Sequence, residues 1–303
     1  MPVQSVPDPQ QALEVPSPPL VSVVITPVNR GRYEQQALDS IGSPAVPIET
    51  IVVEKVDEDV GGLARARNNG LARCLGQYIV FLDSEDKLAP GALELGAVTL
   101  EEHPDVAFVF GRCIGIDADG TLLPGDIRPR LTRDHYRELL KENYISMSAM
   151  VMFRREALHR AAGFVEIAPV ASEYDLYLRI SRHYRVHDHG QVVAFCRTNS
   201  DDGTDAGLLL RETLEVLRKE RAFLEADPAS LEAYTSGWTM WQNRYEPLVA
   251  DQIRAAVHNR DWLSVLRNTA TLLRYHPRGA WHHARRWTRL PHRYGGRAMP
   301  ASH

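Results

Sequence analysis

Cysteine is scarce in this chain: three in 303 residues, Cys74, Cys113 and Cys196. An odd number, far apart and in apolar surroundings, excludes a dense disulfide framework and the close spacing of a zinc site. Buried thiols in a reducing cytoplasm are the expectation. Long apolar runs are missing too. No stretch approaches the roughly 18 residues of a transmembrane helix, so a soluble or surface-attached protein is expected. Residues 1–20 lack the basic start and continuous apolar stretch of a signal peptide. Their Pro, Gln and Ser content reads as a flexible lead-in. Gly61-Gly62 has no Lys-Ser/Thr pair behind it at the required spacing, which excludes a P-loop. Acid is absent from the end of the chain. After Asp261 no Asp or Glu occurs, whereas Arg267, Arg274, Arg278, Arg285, Arg286, Arg289, Arg293 and Arg297 follow. The net charge of −4 therefore averages an acidic body and a basic tail, and gives no sign of nucleic-acid binding.

What is present is enough for a sizeable core, with 44% hydrophobic residues. Val21 to Thr26, Glu49 to Val53 and Tyr78 to Leu82 read as buried strands. They alternate with helical patterns over Arg32 to Ser43, Leu63 to Leu75 (stopped by Gly76) and Pro90 to Glu102. Val106 to Ile116 reads as a strand that turns at Asp117-Ala118-Asp119-Gly120 into a hairpin. Further on come an apolar segment at Ser148 to Phe153, a helix from Ser172 to His183 and a strand from Gln191 to Arg197. Alternation of this kind predicts a largely parallel sheet covered on both faces. From about Asp205 the pattern turns helical: Leu208 to Glu225, Leu231 to Trp241, Pro247 to His258 and Trp262 to Tyr275. The expected organisation is a flexible segment 1–20, an α/β domain 21–204, and a helical subdomain 205–303 with a basic tail.

The chemistry concentrates at Asp83-Ser84-Glu85-Asp86, directly behind the apolar strand. Three carboxylates in four residues at a buried strand end are costly unless something positive sits there. A divalent cation shared with a phosphate-bearing ligand would offset that cost, since Mg²⁺ or Mn²⁺ takes one or two carboxylates and completes its shell with phosphate and water. The carboxyl edge of an open α/β sheet is where ligands bind. The bland alternative is a charged turn ahead of the next helix.

Four motifs in order resemble the family 2 glycosyltransferases of GT-A fold. They are Val21 to Arg30 with Pro27-Val28-Asn29-Arg30, Ala64-Arg65-Ala66-Arg67-Asn68-Asn69-Gly70, Gly76 to Asp86, and Ser172-Glu173-Tyr174-Asp175-Leu176-Tyr177-Leu178-Arg179 behind Gly163-Phe164. The resemblance covers Val21 to Asn199. It implies a Rossmann-like, mostly parallel sheet with helices on both faces, here with an α-helical C-terminal extension, and an inverting, nucleotide-sugar-dependent transfer. Thr26, Pro27, Asn29, Arg30, Glu54, Arg67, Asp83 and Ser84 then fall at donor-binding positions, Asp83 and Glu85 at the metal signature, and Glu173 at the general base. Asp86 is expected to cap the following turn. Departures from the pattern are Glu54 in place of an Asp pair, Glu85 and Glu173 where Asp is usual, Ser172 for Glu, and Thr198 or Asn199 where a His is expected.

The implied reaction is one in-line displacement at the anomeric carbon, with a divalent metal (Mg or Mn) steadying the departing diphosphate and Glu173 taking the acceptor hydroxyl's proton. The partners implied are a nucleotide-sugar donor, UDP-sugar by default, and a hydroxyl acceptor on a glycan, a lipid-linked or envelope precursor, or a small molecule. A catalytically degenerate saccharide-binding or scaffold protein on the same fold is the alternative. Trp281-His282-His283-Ala284-Arg285-Arg286-Trp287 suggests peripheral contact with the inner face of a membrane, or else packing within the helical part. Arg65 and His187-Asp188-His189 read primarily as structural groups, whereas Asp175 and Arg179, at i and i+4, read equally as a helix-surface ion pair or as functional groups.

Overall fold

The computed structural model describes residues 18–27, 32–54, 62–125, 129–131, 134–198, 205–277 and 279. Its centre is a seven-stranded sheet in the order β2-β1-β3-β6-β5-β7-β4. The strands are β1 (Val21–Thr26), β2 (Ile48–Val52), β3 (Tyr78–Asp83), β4 (Lys87–Leu88), β5 (Val106–Ile116), β6 (Val151–Arg154) and β7 (Arg185–Arg197). β2, β1 and β3 run parallel, as the alternating pattern predicts, and β5 pairs with β7 in parallel. β6 enters antiparallel between β3 and β5, and β4 antiparallel to β7, so the sheet is mixed.

Side chains alternate across the sheet with the strand period of two. Val21, Val23, Tyr78, Val80 and Leu82 enter one apolar layer, whereas Val24, Ile79 and Phe81 enter the other. Both faces are covered by helices: α1 (Glu34–Ile41), α2 (Gly62–Leu71), α3 (Ala92–Glu102), α4 (His135–Lys141), α5 (Arg155–Arg160) and α6 (Ser172–Ser181). The C-terminal extension is α7 (Ala206–Glu220), α8 (Pro228–His258) and α9 (Trp262–Tyr275). Leu210, Leu214, Trp241 and Val249 of the extension share one core with Phe81 and Phe108 of the sheet, so the extension is packed into the domain.

Three expectations need correction. The two helices foreseen at Leu231 to Trp241 and Pro247 to His258 are one 31-residue helix with Pro247 inside it. Proline removes one backbone donor there, but burial of Val249, Ala250 and Ile253 carries the helix through. The hairpin after β5 exists as a turn, with Asp117 Oδ1 accepting from the N–H groups of Asp119 and Thr121 at 2.9 Å each. Among the described residues its return limb makes a single bridge, Ile116–Leu122, and β7 is the long partner of β5. Finally, Cys113 and Cys196 are not separate thiols. The parallel pairing sets Cys113 opposite Ala194 and Cys196 opposite Gly115, and the two are joined in a disulfide across 83 residues. Cys74 remains as a buried free thiol.

Candidate active site

β1 and β3 end side by side, with Thr26 in register with Asp83. Thr26 Oγ1 accordingly donates to Asp83 Oδ1 at 2.5 Å. α2 brings the next group. Its buried stripe is Ala64, Arg67, Gly70 and Leu71, at helical spacing. At Gly70 a Cβ would lie 2.3 Å from Val24 Cγ1, so only glycine lets the helix lie this close to β1. Arg67, one turn earlier, is thereby driven over the strand ends with 2% of its surface exposed.

Arg67 Nη2 lies 3.0 Å from both carboxylate oxygens of Asp83, 3.0 Å from Glu173 Oε1 and 3.2 Å from Ser148 Oγ. One guanidinium therefore ties together the carboxylate ending β3 and the carboxylate opening α6. The ring of Phe164 faces it at 5.4 Å. Burial opposes the charge on Arg67, yet Asp83 and Glu173 outweigh it and hold the guanidinium protonated above its ordinary value. For Glu173, burial raises the pKa, Arg67 pulls it back, and Asp83 adds to the rise; the result is a raised value. Ser148 also hydrogen-bonds Glu173. Glu173 keeps 24% of its side chain exposed and Asp83 keeps 14%. Both carboxylates thus reach the surface, while the arginine between them does not.

Asp86 is 2% exposed. Its Oδ1 accepts the Arg197 N–H at 2.9 Å, whereas Oδ2 is buried without a hydrogen-bond partner among the described residues. Burial first, then Asp83 and Glu85, pushes this carboxyl up to about 8. The Arg197 guanidinium binds the backbone carbonyls of Glu85, Asp117 and Ala118 together with Gln36, and lies 3.9 Å over the Tyr33 ring. It fixes the loop between β3 and β4 to the end of β7.

The other expected residues divide three ways. Glu54 is exposed just beyond β2, on the same sheet edge, and Pro27 follows β1 there. Ser84 is fully buried, its N–H donating to the Thr26 carbonyl at 2.9 Å, so it shapes the loop. Asn29, Arg30 and the Trp281 to Trp287 segment lie outside the described residues, as does Asn199. Thr198 is an ordinary continuation of β7, with its N–H on the Ile116 carbonyl. Arg65 pairs at the surface with Glu166, and Asp175 with Arg179 and Lys219 laces α6 to its surroundings. Asp188 is held by Arg112 at 2.8 Å, twice, which makes His187-Asp188-His189 a structural segment.

Ser148, Asn68 and Tyr177 lie in segments that the sequence marks, but it assigns none of them a role. Asn68 both donates to the Phe164 carbonyl and accepts its N–H at 2.9 Å, holding the Gly163 turn against α2. Gly163 stands at φ +67, a conformation that favours glycine. Tyr177, one turn beyond Glu173, has a buried hydroxyl without a partner among the described residues. The Ala-Arg-Asn and Gly-Phe motifs did mark the elements; that they bind each other was not visible.

The donor set fits a hard divalent cation of limited kind. Asp83 and Glu85 offer carboxylate oxygens, Asp86 adds an orphaned buried oxygen, and Asp83 shares one guanidinium with Glu173. No cluster of three or more ligating side chains occurs among the described residues. The fit is therefore to an ion that takes one or two carboxylates and completes its shell from a diphosphate and water.

The model of the family "Glycosyl transferase family 2" matches residues 46–161, which include Arg67 and the acidic loop. Over those residues the chain is similar to the family 2 glycosyltransferases. The O-antigen biosynthesis protein RfbC of Myxococcus xanthus is 34% identical over 121 residues, 40% of this chain and 9% of that protein. The chondroitin synthase of Pasteurella multocida is 26% identical over 187 residues, 54% of this chain and 19% of that one. The chain thus spans under a fifth of the length of these relatives. Among solved structures, S. aureus TarS superposes with a TM-score of 0.51 at 17% identity, covering 70% of this chain and 41% of TarS. That likeness shows the GT-A fold.

Proposed function

We propose that this domain transfers a sugar from a nucleoside diphosphate donor to a hydroxyl acceptor with inversion, and that a UDP-sugar is the donor. The observation that carries the reading is the Asp83–Arg67–Glu173 bridge at the carboxyl edge of β1 and β3. In-line displacement needs negative charge managed on one face of the sugar and a base on the other. Here a donor-side carboxylate and a half-open carboxylate are held at a fixed separation by one buried cation. Glu173 takes the proton from the acceptor hydroxyl through its exposed edge. Arg67 counters the burial that raises the Glu173 carboxyl and orients it, and Thr26 fixes the rotamer of Asp83. A divalent ion, when bound through Asp83 or Glu85, supplies Lewis-acid neutralisation of the leaving diphosphate. The relatives named for O-antigen and chondroitin formation support a saccharide acceptor.

One observation favours a second reading, a saccharide-binding protein without turnover: Asp83 already receives Thr26 and Arg67, which fills part of its coordination capacity. Calorimetric titration with Mn²⁺ and a panel of nucleoside diphosphates separates the two. Metal-dependent binding, abolished in Asp83→Ala/Glu85→Ala, supports transfer. Absence of binding to every nucleotide leaves the second reading. Glu173→Gln should then keep donor binding while lowering turnover about 10²- to 10⁴-fold, the usual contribution of a general base.

A further inference from the structure

α9 presents an apolar side to solvent. Trp262, Leu263, Leu266 and Leu273 are 61%, 77%, 69% and 58% exposed, and Ala270 lies exposed between them. At about 100° per residue, these five positions fall within an arc of roughly 100°. The opposite side, with Asn268, Leu272 and Tyr275 buried, docks on α8 and α7. There the Tyr275 hydroxyl donates to Glu215, and Asn268 sits against Gly207. The helix therefore has two apolar sides: Leu272 and Tyr275, with a buried Asn268, hold it to the protein, while the other three of its four leucines face outward. Burying each such leucine is worth about 2 kcal/mol, so the stripe is a contiguous source of binding energy.

Charge decides what fits over it. α9 carries no acidic residue. Arg267 and Arg274 flank the stripe on the α7 side, more than half exposed, and reach Asp205 and Glu215 at 2.9 and 3.7 Å. Arg260 stands just ahead of the helix, and the sequence beyond it adds six arginines and no acid. A second copy docked on the same stripe would bring two sets of arginines together. A convex helix with Trp at one end, leucines along one side and arginines beside them suits a plane of headgroup phosphate above hydrocarbon.

We propose that α9 is a membrane-docking helix that lays Trp262, Leu263, Leu266 and Leu273 into the headgroup boundary of an anionic bilayer. No helix of the described residues is long and apolar enough to cross one, so the contact lies in the interface. The inference is independent of the proposed reaction.

The test is flotation of the full chain with vesicles of phosphatidylcholine alone and of phosphatidylcholine with about a third phosphatidylglycerol, whose anionic headgroups give the surface a negative potential. Binding to the anionic vesicles is expected, weakened by salt, and reduced at least tenfold in Leu263→Gln/Leu266→Gln/Leu273→Gln. These positions are exposed, so circular dichroism and melting temperature should match those of the parent. No flotation of the parent, equal flotation with neutral vesicles, or undiminished flotation of the triple variant would each overturn the proposal. So would a dimer in solution that the triple variant dissolves without any vesicle binding, since the occupant would then be a second copy.

Discussion

Arg67 shows how one side chain can serve both stability and chemistry. A guanidinium 2% exposed is tolerable only because Asp83 and Glu173 supply compensating charge. Arg67→Ala would leave two carboxylates facing each other without their shared cation. A loss of about 3–5 kcal/mol is expected, read as a lower denaturation midpoint at unchanged slope. Arg67→Lys should recover part of it, because the single nitrogen Nη2 makes all of these contacts and an ammonium keeps the positive charge but loses the guanidinium face against Phe164. Asp83, Arg67 and Glu173 were each legible in the sequence from their motifs. Their mutual contact was not, because it depends on α2 closing over β1 at Gly70 and on α6 returning from a hundred residues away. His189 gives a residue-scale prediction in pH. Burial lowers it to about 4, and its Nδ1 accepts the Gln191 N–H at 3.2 Å, so the folded protein prefers the neutral ring. A depressed folded pKa means that its contribution is complete above about 6.5 and is lost as pH falls toward 4. Stability should decline across that window, and His189→Gln should remove that share of the slope in urea titrations at stepped pH.

At the scale of elements, periodicity spoke clearly where one face of a segment meets the core and failed where packing overrides local preference. The alternation of Tyr78 to Leu82 was readable because successive residues enter opposite apolar layers. The continuity of α8 through Pro247 was not, since proline argues for a break and the compensation comes from helices α7 and α9. The most exacting contact of α8 is at Gly237. A Cβ there would stand 1.9 Å from the Leu140 carbonyl oxygen and 2.9 Å from that of Lys141. Neither neighbour is a flexible side-chain tip; both belong to the end of α4 or its backbone. Gly237→Ala must therefore move α8 away from α4, disturbing the nearby contact of Trp241 with Tyr174 on α6. A cost of about 3 kcal/mol is expected, at or beyond the upper end of ordinary overpacking. Thr239→Ala, two residues on and exposed, should cost well under 1 kcal/mol by the same thermal denaturation assay.

Across the whole molecule, the sheet is closed by links that no local pattern announces. β7 supplies Arg197 to the acidic loop and Cys196 to the bond with Cys113 on β5, so the carboxyl edge and the disulfide share one strand. Composition suggested free thiols because 83 residues separate the partners, and only the parallel pairing of β5 with β7 brings them together. A bond closing a loop of that length restricts the unfolded chain strongly, by about 4 kcal/mol on the chain-entropy scale. Reduction should therefore lower the melting temperature of the wild-type chain by about 5–10 °C. Cys113→Ala/Cys196→Ala should melt near the reduced protein and be indifferent to dithiothreitol, which separates the bond itself from general effects of the reductant. Because Arg197 follows Cys196 directly, loosening this end of β7 should also slacken its hold on Asp86 and the Glu85 carbonyl. Nucleoside diphosphate affinity should then fall severalfold in the double variant while the helical extension, packed on α4 and α6, keeps its far-ultraviolet signal. Unchanged melting after reduction would show that the strand pairing alone sets the position of the acidic loop.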